Sequence, residues 1–397
     1  MERIKNLKYT KETYLYSIAG LLERASFYGL RALLLIYFFS EFQRIEILKT
    51  IEWIATAYLI SRIIGAVIGD LLLGNKKAII VGGILNAMGA FTLCFPSITA
   101  FYIGLFLIVL GNGLLKPNLT SSFGKLFLNK QKLLNPAFTL FYLAINIGSF
   151  FGVIIIGYIG EKWGWNYGFV IVGVLMLLSI IPILLSDPIK TELIPTKKIT
   201  VKNRIIYISI ALVSVSLYWG LHEMGMFRIN DLQLKIAEVL SFDPPTSVWV
   251  SLDSLLALFS SIILIILWSY FYSSQTIRLM LGFVFGAISF GILFFIPTIP
   301  AEKHLLFYLI SLVFLAISDI YISPVIQSTL TKFSNPKYLT IILSLAFIPA
   351  KVFSLFLDPF NANLAKFPNL ALKYAFFGML ISGVAFIIYI IWKRKKV

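Results

Sequence analysis

The chain of 397 residues has one cysteine, Cys94, two histidines, His222 and His304, and only 18 acidic residues. A lone cysteine excludes a disulfide-stapled secreted domain, and so few histidines and cysteines leave little from which to build a zinc site of the usual ligand types. No HExxH pair, GxxxxGK[ST] loop or GxSxG elbow occurs. Metalloprotease, nucleotide-driven and nucleophile-elbow chemistries are therefore excluded, and the chain is not expected to be an enzyme. Charge is scarce as a whole. Asp, Glu, Lys and Arg make up 13% of the sequence, against about 25% in soluble domains. What fills the space is apolar, at 59%. Such a chain cannot cover itself with polar surface in water.

Apolar runs lie near 14–39, 50–73, 77–95, 98–120, 136–160 and 164–186, then near 203–226, 245–272, 276–297, 303–330, 337–358 and 370–392. Each approaches the ~20 residues that a spanning helix needs. The expected fold is an all-α polytopic membrane protein with twelve transmembrane helices in two six-helix bundles. Residues 1–186 and 203–397 form the bundles, and 187–202, polar and proline-bearing, is the linker. The first run is read as a membrane segment rather than a cleaved leader, because it is long and interrupted by charges. Segment 228–243 is expected as a short extracellular helix or loop.

The net charge of +16 is distributed by side. An even number of spans puts both termini together, and 21 of the 34 Lys and Arg fall on that side, among them Lys76, Lys77, Lys125, Lys197, Lys198 and the tail from Lys393 to Lys396. Eight fall opposite: Arg44, Lys49, Lys162, Arg228, Lys235, Lys303, Lys366 and Lys373. The positive-inside rule makes the richer side, with both termini and the linker, cytoplasmic in a cell membrane. The basic balance is thus a topology signal with some attraction to anionic lipid, and nucleic acid is not expected as a partner.

Five basic residues, Arg24, Arg31, Arg62, Lys116 and Lys351, lie within runs, as do Glu23, Glu223, Asp253 and Asp319. A charge at the centre of a spanning helix costs about 2.5–3.5 kcal/mol on insertion scales. Arg62, Asp70 and Lys351 are read as lying near headgroups. Glu23 and Arg24 are too deep for that and are expected to face a bundle interior, paired. Arg24, Tyr28 and Arg31 fall on one helical face, the two guanidiniums about 10 Å apart along the axis. Cations in the first half and acids in the second would suit a zwitterion.

Several segments resemble one family, the proton-dependent oligopeptide transporters of the major facilitator superfamily. GLLERASFYGLR is similar to ExxERFxYYG followed by Arg, GNGLLKPNLTS to GxGLxKPNxS, and FTLFYLAINIGSFFG to FxxFYxxINxGxxxx. YWGLHEM and ISDIYISPVIQS resemble FWxxxEQ and IGExxxSPxGxS, and GDLLLGNKKAIIVGG resembles the superfamily's loop between its second and third helices. The resemblance implies a proton-coupled symporter that imports di- and tripeptides by alternating access, as a monomer without cofactor, with protons as coupling ion. It implies that Arg24 and Lys116 hold the peptide carboxylate, that Asn146 and Asp319 receive its amine, that Tyr28 lines the pocket, and that Arg31 and Glu223 form a gating ion pair.

This sequence departs from the pattern in places. Gly20 replaces the first Glu, Ala25 the Phe, Phe27 the first Tyr, and Asp319 a Glu; Asp253 stands where Asn is usual and adds an acid to the amine side. With Gly20 lacking a carboxyl, the proton is expected on Glu23, Glu223, Asp253 or Asp319. Asp319 is favoured, because its expected partner Lys116 would turn to the substrate. A diverged carrier for another small anion or zwitterion, and a non-transporting nutrient receptor, are the alternatives.

Overall fold

The computed structural model describes residues 9–41, 44–189, 201–241, 246–270, 274–346 and 366–395, with isolated positions between 347 and 365. Among them every regular element is helical. The chain divides into two compact units. The first comprises 1–200 with 246–255 and 330–345; the second comprises 201–245, 256–329 and 346–397.

The first unit holds α1 (Lys11–Glu41), α2 (Arg44–Ile68), α3 (Asn75–Thr92), α4 (Ile98–Lys125), α5 (Leu134–Trp163), α6 (Trp165–Leu184) and α11 (Leu339–Leu345). Helix α1 packs on α5 and α6, α4 packs on α2 and α3, and α11 packs on α2 and α4. The α1–α5 seam is closed by small residues. A Cβ on Gly148 would meet the Leu21 carbonyl, and one on Gly152 the Ala25 carbonyl. Backbones this close are a packing mode that membrane helices favour, because lipid gives no hydrophobic drive to hold them together. Ala25, where the family pattern has Phe, sits against Gly152 on this seam. Gly20 has a local reason too, since a side chain there would run into the Phe141 ring. That ring is buried and stacks on Phe123 with centroids 4.5 Å apart.

The second unit holds α7 (Val201–Val239), α9 (Gln275–Ile292), α10 (Leu305–Phe333, its last residues counted with the first unit) and α12 (Pro368–Lys395), while α8 (Thr246–Tyr270) is shared between the units. Helix α12 packs on α9 and α7. Helix α7 departs from expectation. The apolar run ends near 226, but the helix continues to Val239 in one piece. Residues expected as a short extracellular helix or loop extend it, because Asp231 pairs with Arg228 at i−3 and Lys235 at i+4. Such pairs stabilise helices one turn at a time.

Eight of the described helices are long and apolar enough to cross a membrane. Large apolar side chains such as Phe106, Ile388 and Trp392 are exposed, while Glu23, Arg24, Asn112, Asn118 and Asn146 are buried. Apolar outside and polar inside is the arrangement of a membrane protein, with lipid as the solvent for the outer surface.

Candidate functional site

In the first unit, the interior charges gather on Glu23. Arg24 wraps back along α1, and its Nε and Nη2 both donate to the Glu23 carboxylate. Adjacent helical side chains point apart, so only a long side chain with a forked head closes this pair. Bidentate geometry is where guanidinium and carboxylate interact most strongly. From α4, Lys116 Nζ stands 3.9 Å from Glu23 Oε2. The Glu23 side chain is wholly buried. Lys116 therefore has its carboxylate partner in Glu23, whereas the sequence suggests Asp319.

Aromatic rings face these cations. The Arg24 guanidinium lies 4.4 Å from the Phe27 ring centroid and 5.7 Å from that of Tyr28. The ring at 27 thus serves the cation through its π face, for which a hydroxyl is not needed. Tyr28 is half-buried. Phe27 packs on Tyr58, over which Arg62 sits 5.9 Å from the centroid. Arg62 interacts electrostatically with Glu23 and Arg24. Arg62 thus belongs to this set rather than to the headgroup layer. Tyr58 continues a polar chain into the bundle: its hydroxyl donates to Asn112 (3.3 Å), whose amide donates to Asn86 (2.8 Å), whose amide donates to the Gly82 carbonyl (3.0 Å).

Lys116 is positioned by its two C-terminal neighbours. Pro117 cannot donate to the Gly113 carbonyl one turn back. Asn118 then ties α4 to α2, donating to the carbonyls of Leu114 and Gly65 at 2.7 and 3.0 Å. On α5, Asn146 is buried, and its Nδ2 has no hydrogen-bond partner among the described residues. A buried amide nitrogen left this way costs about 1–3 kcal/mol, so a ligand acceptor there would be favourable.

A second polar cluster in this unit lies at the α2–α3 turn. Asp70, expected near headgroups, has a wholly buried side chain 3.5 Å from Lys125. It accepts from the Thr340 and Ile341 amides at 2.8 and 3.1 Å and from the Thr340 hydroxyl at 2.6 Å. Asn75 joins Asp70, Asn118, Thr340 and Lys125.

In the second unit, Asp319 on α10 accepts a 2.7 Å hydrogen bond from the Tyr218 hydroxyl. Tyr218 and Ser318 hydroxyls are also 2.7 Å apart, and Ser318 donates to the Gly282 carbonyl at 2.6 Å. Asp319 has no salt bridge among the described residues, though His222 acts on it electrostatically. The His222 ring sits by Tyr218 and Trp219, with centroids at 6.1 and 5.1 Å. Arg31 on α1 and Glu223 on α7 are each exposed in their own units. Asp253 is on α8, and its side chain lies outside the described residues. Sequence reasoning does not place Tyr58, Arg62 or Tyr218 at a site. A tyrosine and an arginine one turn apart, at 58 and 62, are the available signal for the first two.

Residues 76–238 match the sequence profile described as the POT family. The chain is 35% identical over 167 residues to the uncharacterized transporter YclF of Bacillus subtilis, a match covering 40% of this chain and 34% of that protein. It is 29% identical over 195 residues to a di-/tripeptide transporter of Lactococcus lactis, covering 45% and 39%. The matches thus span between about a third and a half of the length of the curated relatives. Its fold is similar to that of a POT family transporter crystallised with 5-aminolevulinic acid, with a TM-score of 0.65, 17% identity and 96% of each chain covered.

Proposed function

We propose that this chain, whose residues 76–238 match the POT family profile, belongs to that family and is a proton-coupled symporter that imports di- and tripeptides by alternating access. The reading includes twelve transmembrane helices in two bundles, residence in the cell membrane as a monomer, both termini in the cytoplasm, and no catalytic activity or cofactor. Protons are the coupling ion. The observation that carries it is the charge set on Glu23: one buried carboxylate held by Arg24, with Lys116 at 3.9 Å. That separation is beyond hydrogen-bonding distance, so Lys116 can turn to a substrate carboxylate without breaking a formed bond.

A peptide carboxylate that draws Lys116 and Arg24 leaves Glu23 poorer in cations, and a proton is the remaining way to neutralise it in a dry interior. Substrate and proton binding are then linked. The ammonium end of the peptide is assigned to Asp319, with Asn146 and Asp253 as further polar contacts and Tyr28 as a pocket wall. Asp319, held by a hydroxyl rather than a cation, and Glu223 complete the proton-coupling set. Arg31 and Glu223 are assigned as the gating pair. The energetics suffice: a proton crossing about 120 mV releases roughly 2.8 kcal/mol, enough for about a hundredfold gradient.

Uptake of labelled dialanine into proteoliposomes tests this reading. Accumulation above equilibrium with an inward proton gradient, abolished by a protonophore, is expected. Equilibration unaffected by the gradient would indicate a carrier of another kind, and binding without uptake would indicate a receptor.

A further inference from the structure

Away from these residues, the second unit has a pocket of about 650 Å³ between the end of α7 and the beginning of α12. Arg228, Asp231 and Lys235 line it from α7, and Lys366, Asn369 and Lys373 from the other side. Four cations thus face one carboxylate. Asp231 is already engaged twice, by Arg228 at 2.6 Å and Lys235 at 2.8 Å. Lys366 and Lys373 have no ion pair among the described residues. Arg228 is 1% exposed and built in, since its Nη2 donates to the carbonyls of Ile296 and Pro297 at 3.0 Å each, while its Nε has no partner among the described residues. The wall is therefore fixed and cationic.

The start of α12 adds to this. Pro368 stands at its first position, Phe367 before it offers no side-chain oxygen as a cap, and the first turn has no acidic residue. An uncapped helix start carries partial positive charge and favours an anion. Beside the pocket, large apolar side chains are exposed, Ile299 at 84% and Phe367 at 61%. Exposed apolar groups around a polar pocket at a helix end suit a membrane interface.

We propose that this pocket binds a phosphate-class anion, presented by the headgroup of an anionic membrane lipid. The phosphate sits among Lys235, Lys366 and Lys373, and the acyl chains lie along the apolar rim. Removing two of these basic residues should weaken binding roughly tenfold or more.

The test uses the full chain, purified in neutral detergent and titrated with phosphatidylglycerol, phosphatidylcholine or inorganic phosphate at constant ionic strength, following the thermal unfolding midpoint. Phosphatidylglycerol should raise the midpoint more than phosphatidylcholine, and K366Q/K373Q should shift the titration roughly tenfold or more. K162Q/K303Q removes the same charge outside the pocket and should leave it unchanged. If inorganic phosphate reproduces the effect and its loss in K366Q/K373Q, the site stands and a free anion is the source. Equal responses from wild type and both double variants would overturn the proposal.

Discussion

Asp70 and Thr340, 270 positions apart, are joined by two hydrogen bonds, one from the Thr340 amide at 2.8 Å and one from its hydroxyl at 2.6 Å. The carboxylate thereby caps the first turn of α11, where unsatisfied amides and the helix dipole both favour a negative charge, and Lys125 balances that charge from α4 at 3.5 Å. Removing Asp70 leaves the α11 start uncapped and a buried lysine without its acid. D70A should lower unfolding free energy by about 3–5 kcal/mol, measured by denaturation in detergent. Because the two residues share one network, D70A/K125M should be less destabilised than the sum of the single variants.

The α1–α5 seam should tolerate no side chain. G148V would drive a branched carbon into the Leu21 carbonyl, and overpacking of backbone against backbone should cost at least about 1–3 kcal/mol. Gly286 is the comparison. The nearest atoms to a Cβ there are the Ser318 hydroxyl at 3.1 Å and the flexible Met379 thioether at 3.3 Å, so G286A should be milder. Thermal midpoints of the two variants check the order.

Restoring the acid that the family pattern has at position 20 should not help this protein. A Cβ at Gly20 comes 2.8 Å from the Phe141 ring, so G20E must displace a ring already stacked in the core. Its unfolding midpoint should fall, with no gain in proton-driven uptake.

Arg24 and Lys116 should discriminate ligands by their carboxylate. R24Q or K116Q removes a charged contact worth about 1.5–3 kcal/mol, a ~10- to 150-fold loss of affinity for dialanine. The same peptide with an amidated C-terminus should lose much less. Equal losses for both ligands, read by calorimetry, would make the two cations scaffolding.

The sequence is informative about depth and poor on partners. Glu23 and Arg24 read as interior charges because about twenty residues of apolar helix surround them, and they are buried as a pair. The same logic misplaces Arg62 and Asp70: hydropathy measures distance from the ends of a run, whereas their environment is set by Tyr58 and Glu23 in one case and by Thr340 in the other. Helix α7 runs past its apolar stretch because ion pairs, to which hydropathy is blind, continue it. The partner of Lys116 is not legible because chain spacing says nothing about how Arg24 bends back to bring Glu23 between two cations.

Asp319→Asn should lose accumulation against a gradient while keeping counterflow, which requires no net proton movement; Y218F, which removes only the hydroxyl at 2.7 Å, should retain part of the accumulation. Comparing the two in proteoliposomes separates the carboxyl's proton from its hydrogen bond. Concentrative uptake by Asp319→Asn would remove Asp319 from the proton-coupling set and leave Glu23 and Glu223.

The most direct measurement is proton exchange on substrate binding. Dialanine binding to the purified chain, followed by calorimetry in buffers of different ionisation enthalpy, should show net proton uptake in the wild type and a much smaller uptake in E23Q. Binding of the peptide with no proton taken up at any pH where transport is driven by protons would contradict the account that the substrate carboxylate takes Lys116 from Glu23.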